Sequence, residues 1–177
     1  MHTEQGVQTA IEEIALLIKG APVVMFTTRN AQGRLVSRPL ATRSVPFDGN
    51  AWFLTALGST KLRELDADPC VNLAYVNASN GAYVSIEGHA HVSVDRAQIA
   101  RLWSDAIDAV FFPAGKDDPN LAAIRVEART AEAWTSASTA VGRAFDFIAA
   151  RLSGDSSALG MQKHFDLRSG LRTEKSR

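Results

Sequence analysis

The chain has 177 residues, 46% of them hydrophobic and 21% charged, the balance expected of one soluble globular domain. Nineteen basic and nineteen acidic side chains cancel, so no basic excess marks it for nucleic acid. No apolar run approaches the ~20 residues of a membrane span, and Glu4, Glu12 and Glu13 interrupt any leader-like stretch at the N-terminus. A single cysteine, Cys70, excludes an intrachain disulfide and suits a reducing, cytoplasmic setting.

Val7, Ile11, Ile14 and Ile18 recur at helical spacing and predict a helix that Gly20, Ala21 and Pro22 stop. Val23 to Thr28 reads as a short strand, and Asn30 to Gly33 as a turn. A second extended stretch runs from Arg34 to about Val45 and contains Pro39. Proline cannot donate to a ladder, which makes this an edge strand or a bulged one. Asp48 and Gly49 signal a hairpin, and Ala51 to Ala56 is its return strand. Gly58 and Ser59 open a short helix with Leu62 and Leu65 on its apolar face, and Asp68-Pro69 closes it.

Val71, Leu73 and Tyr75 mark the next strand. From Tyr83 to Val94, period-two alternation places Val84, Ile86, Gly88, Ala90, Val92 and Val94 on one face. Asp95 and Gln98 resemble a capping box before a helix with Ile99, Leu102, Trp103 and Ala106 as its buried stripe. Residues 111–119 form a loop, and Leu121 to about Thr135 a strand. A last helical stripe joins Ala137, Val141, Ala144, Phe145, Ile148 and Leu152. Residues 1–152 then form the domain, and 153–177 a polar tail, mobile at its end. Six strands in hairpin-like succession with helices at the periphery predict a mainly β, α+β fold: an antiparallel barrel or meander.

The standard nucleotide-binding and hydrolase signatures are absent. His89 and His91 leave one strand face beside Glu87, which reads as an exposed polar face, because a metal needs three or four ligands and no further pair is evident. Cys70, after a proline at a strand start, reads as a small core residue. The informative stretch is Ser37-Arg38-Pro39 followed by Trp52 to Lys61. A strand ends at Thr55 and a helix begins at Ser59, so free N–H groups, the positive helix end, an ammonium and hydroxyls converge as a phosphate requires. The residues alone leave a second reading open: Ser59 caps the helix and Lys61 is solvated.

At these positions the chain resembles the FMN-binding split barrels of the pyridoxamine 5'-phosphate oxidase-like group, and within it the general stress protein branch. Ser37 to Leu40, Trp52 to Thr55, Ser59 to Lys61, Tyr83 to Gly88, Leu102-Trp103 and Phe112 to Pro119 carry the likeness. The resemblance implies a six-stranded antiparallel split β-barrel that forms a homodimer with flavin at the subunit interface. It implies that Arg38, Ser59, Thr60 and Lys61 hold the phosphate. Pro39, Leu40, Phe53, Leu54 and Thr55 would contact the flavin ring and ribityl chain, and Tyr83 the flavin of the other subunit. One phosphate site serves FMN or FAD. The substrate-phosphate signature of true pyridoxamine phosphate oxidases is not reproduced by His164 and Arg168, so vitamin B6 oxidation is not expected. Three functional readings follow: a flavin-dependent oxidoreductase in stress response, a non-catalytic flavin-binding or sensing module, or a split barrel using a deazaflavin or haem.

Overall fold

The computed structural model describes residues 4–135 and 161–168. The elements in chain order are α1 (Glu4–Ile18), β1 (Val23–Arg29), β2 (Leu35–Ala41), β3 (Asn50–Ala56), α2 (Thr60–Ala67), β4 (Cys70–Asn77) and β5 (Ala82–Ser93). They continue with α3 (Arg96–Leu102), α4 (Asp105–Asp108), β6 (Leu121–Thr135) and β7 (Met161–Asp166). Strand order is β2-β1-β4-β5-β6-β3, with β7 also on β6, and every pairing is antiparallel.

The sheet rolls up without closing. Phe26 of β1 and Phe53 of β3 lie near opposite ends of the strand order, yet their rings meet edge to face at 5.5 Å. Among the described residues β2 and β3 end the strand order unclosed, which is the split of a split barrel. Pro39 accordingly lies on an edge strand, opposite Met25 of β1. β6 divides its second edge: residues 121–127 pair with β3 and residues 130–135 with β7.

A bulge in β6 sits near that change, because Glu87 of β5 opposes Thr130 while Gly88 opposes Ala128. Gly88 permits this close approach; a Cβ there would lie 2.4 Å from the Glu127 carbonyl oxygen.

Two apolar clusters hold the fold. The larger fills the barrel interior with Phe26, Phe53, Leu73, Ile86 and Ile124, and α1 contributes Ile14. The smaller lies outside the barrel, where Ile99 and Leu102 of α3 cover Leu54, Leu121 and Ala123.

Several expectations change. The helix expected through Ala106 is broken at Trp103 and Ser104 into α3 and α4, and Ala106 is exposed. Val92 and Val94 are also exposed, since the burial alternation of β5 holds only as far as Ala90. Cys70 is exposed rather than in the core, because even-numbered residues of β4 face outward. Within the residues read as a polar tail, 161–166 form β7, anchored by buried Phe165 and by Leu167 just after it. The stripe from Ala137 to Leu152 lies outside the described residues.

Candidate functional site

The outer edge of the split and the start of α2 bring cationic side chains to one end of the barrel. On β2, burial alternates so that Val36, Arg38 and Leu40 face inward and Ser37 and Pro39 outward. Arg38 is 21% exposed and Glu64 of α2 8%, and Arg38 Nη2 donates to Glu64 Oε2 at 2.8 Å. Arg38 Nη1 donates to Thr28 Oγ1 at 2.8 Å. On the facing edge, Thr55 lies one residue before the end of β3, and Lys61 Nζ donates to its hydroxyl at 2.7 Å.

The solvated-lysine reading does not match this geometry. Ser59 is the N-cap residue of α2, but its side chain makes no cap bond; Thr55 Oγ1 donates to it at 3.4 Å instead. Lys61 is partly buried and turned to Thr55. Burial and the like charge of Arg38 hold its ammonium below the ordinary lysine value, with Glu64 pulling the other way. Burial works against ionisation of Glu64. Hydrogen bonds from Thr28 and Arg38, together with the charges of Arg38 and Lys61, nevertheless hold its carboxyl below the ordinary range. Two cations and one carboxylate leave a net positive charge, with donors on Arg38, Lys61, Ser59 and the uncapped first turn of α2. That donor set fits a phosphate monoester.

The remaining expected site residues separate into groups. Thr55, Ser59 and Lys61 are joined by hydrogen bonds, Arg38 lies within electrostatic reach of Lys61 beside Glu64, and Thr60 lies exposed at the start of α2. Phe53 is 1% exposed in the barrel interior and Leu54 6% beneath α3, so neither side chain is presented to a ligand. Leu40 packs against the interior cluster, while Pro39 faces outward. Tyr83 lies on the outer face of β5, 51% exposed, and is not part of this cluster within one chain.

Farther along the split, the 42–47 segment, β3 and the end of α1 enclose a cavity of about 630 Å³, with Val45, Phe47, Trp52 and Tyr75 on its walls. Arg43 beside it is tied to Asp108 of α4 by two bonds of 2.7 and 2.8 Å, both side chains buried.

Glu64, Thr28 and the Arg43–Asp108 pair were not singled out from the sequence. The available signal for Glu64 was a carboxylate next to Leu65 on the apolar face of a short helix. Among the described residues no group of three or more His, Cys, Asp or Glu side chains is placed to hold a metal. Cys70 Sγ lies 3.4 Å from His89 Nε2; partial burial and Asp68 push its thiol up, away from a reactive thiolate. His164 pairs with Glu132, and Arg168 with Asp166. No helix among the described residues is long and apolar enough to cross a membrane.

Comparison with known proteins adds a family. The model for pyridoxamine 5'-phosphate oxidase-like proteins matches residues 9–157. The general stress FMN/FAD-binding protein of Xanthomonas citri is 27% identical, with a TM-score of 0.62 over 73% of this chain and 90% of that one. A Clostridium acetobutylicum protein related to general stress protein 26 superposes with a TM-score of 0.66 over 90% of this chain and 96% of that one. At 17% identity that likeness concerns the fold alone. Protein bli-3 of Neurospora crassa is 26% identical over 155 residues, covering 82% of this chain and 74% of its own.

Proposed function

The chain belongs to the pyridoxamine 5'-phosphate oxidase-like family, and from that premise we propose that it is a flavin-binding protein of the general stress type. The observation that carries the reading is that Lys61, turned to Thr55 of β3 at the uncapped start of α2, lies within electrostatic reach of Arg38 on β2. In this reading FMN, or FAD through the same phosphate, is held by Arg38, Ser59, Thr60 and Lys61. The backbone of β3 and residues Pro39 and Leu40 flank the ring. The protein is a homodimer, and Tyr83, exposed on the outer sheet face, reaches the partner's flavin.

When bound, the isoalloxazine supplies hydride and electron transfer, and the protein supplies binding and electrostatics. The chain's own residues do the rest. Arg38 and Lys61 neutralise the phosphate, the Ser59 hydroxyl and first-turn amides of α2 orient it, and Phe26 and Phe53 keep the barrel behind it dry.

A binding or sensing role without turnover is favoured by one observation. Glu64, the carboxylate of the cluster, accepts from Thr28 and Arg38, bonds that favour its ionised form over the protonated one a general acid needs. The visible spectrum of the purified protein, reconstituted with FMN if necessary, tests the cofactor: a bound flavin spectrum is expected, and a haem spectrum or failure to take up FMN would overturn it. Anaerobic reduction by NADH or NADPH, followed by reoxidation, then separates an oxidoreductase from a binding module.

A further inference from the structure

Arg38 is part of a closed ring of hydrogen bonds. Its Nη1 donates to Thr28 Oγ1 at 2.8 Å, its Nη2 to Glu64 Oε2 at 2.8 Å, and Thr28 Oγ1 donates to that same carboxylate oxygen at 2.6 Å. Thr28 is 1% exposed and Glu64 8%, so water competes little for these bonds. The ring joins three elements, β1, β2 and α2, and its other guanidinium N–H groups are left unused by it. Lys61, one turn before Glu64 on α2, feels both charges.

We propose that Glu64 is a positioning residue for the phosphate site: through Thr28 and Arg38 it fixes the guanidinium beside Lys61 before the ligand arrives. This rests on the phosphate site proposed above. An untethered arginine gives up much of its rotamer freedom when it is ordered against a ligand. Two cations at close range also disfavour each other. Glu64 removes the first loss in advance and offsets the second. Its own charge repels a phosphate, so positioning and repulsion act in opposite directions, and positioning is the larger of the two.

The experiment compares FMN with riboflavin, which has the ring but no phosphate, so the ratio of their affinities isolates the phosphate site. Glu64→Gln keeps the shape and removes the charge. It should lower the FMN-to-riboflavin ratio on the order of tenfold, the scale of re-ordering one arginine, and leave riboflavin binding unchanged. In an Arg38→Ala background it should cause no further loss. Thr28→Val opens the ring without changing any charge and should lower the ratio in the same direction; it carries the question if Glu64→Gln does not fold.

A ratio that is unchanged or higher in Glu64→Gln, or in Thr28→Val where Glu64→Gln does not fold, overturns the inference, and so does an equal fall in the Arg38→Ala background. A merely structural role would weaken both ligands together and leave the ratio where it was, which also overturns it. If Arg38→Ala and Lys61→Ala themselves leave the ratio unchanged, the phosphate site is wrong and the inference falls with it. If they lower it and Glu64→Gln does not, the site stands and only the role of Glu64 falls.

Discussion

Lys61 and Arg38 carry like charges, are both partly buried, and lie close enough for Arg38 to depress the Lys61 pKa. An anion beside them reverses that depression, so FMN binding takes up a proton wherever Lys61 has begun to lose its own. FMN affinity should therefore fall as pH rises through the lowered pKa of Lys61, already below the ordinary lysine value. Riboflavin controls for titration of the ring itself. Lys61→Arg, which stays charged, should abolish the alkaline fall; an unchanged fall in that variant would show that another group causes it. Glu64 acts at the other end of the pH range. Its folded pKa is depressed, so its stabilising contribution is present above the ordinary glutamate value and is lost as pH falls through the lowered one. Lys61 was legible in the sequence because a lysine in the first turn of a helix runs against the dipole and calls for an anion. Arg38, on a strand, entered through the family resemblance. The ring that holds Arg38 was not legible, since Thr28 and Glu64 lie 36 residues apart and only the fold brings them together.

Single elements carry two sharper expectations. β5 was legible from end to end of its buried part, because a half-buried strand alternates with period two. The bulge opposite Gly88 was not legible, as it depends on which residue of β6 is left unpaired. Gly88→Ala drives a methyl group into the Glu127 carbonyl and the Val126 side chain. Overpacking of this kind costs about 1–3 kcal/mol, and urea denaturation should show a loss in that range; no loss would mean that the β5–β6 pair separates easily. The break between α3 and α4 also has a physical cause. Asp108 Oδ2 accepts from the Ser104 amide at 2.9 Å while it binds Arg43, so the chain restarts a helical turn there instead of continuing α3. With the two side chains 5% and 2% exposed, Asp108→Ala leaves a buried guanidinium unpaired. Breaking such a pair costs about 3–5 kcal/mol, and a thermal or urea midpoint close to that of the original protein would contradict it. β7 escaped sequence reading because its inward apolar positions are few, Phe165 and then Leu167, in an otherwise polar segment.

Among the described residues the molecule is an open, rolled sheet in which edge strands β2 and β3 frame the candidate site. The outer face of β1, β4 and β5 carries exposed Val23, Met25, Val76 and Tyr83. Scattered apolar residues are normal on a surface, but several on one sheet face suit a partner subunit. Sedimentation should find a dimer at micromolar concentration; a monomer that binds flavin tightly would contradict the shared-site arrangement. The general architecture was legible because hairpin-like strand succession excludes a doubly wound parallel sheet. Its handling of β6, shared between β3 and β7, needed three-dimensional pairing to be seen. The phosphate site is tested most directly by titrating FMN and riboflavin into the original protein, Arg38→Ala and Lys61→Ala. Each charge-assisted bond to the phosphate is worth ~1.5–3 kcal/mol, so either substitution should weaken FMN binding by roughly 10- to 150-fold. Riboflavin should bind weakly throughout and hardly respond to Lys61→Ala. If both variants bind FMN as tightly as the original chain, Arg38 and Lys61 do not hold a phosphate.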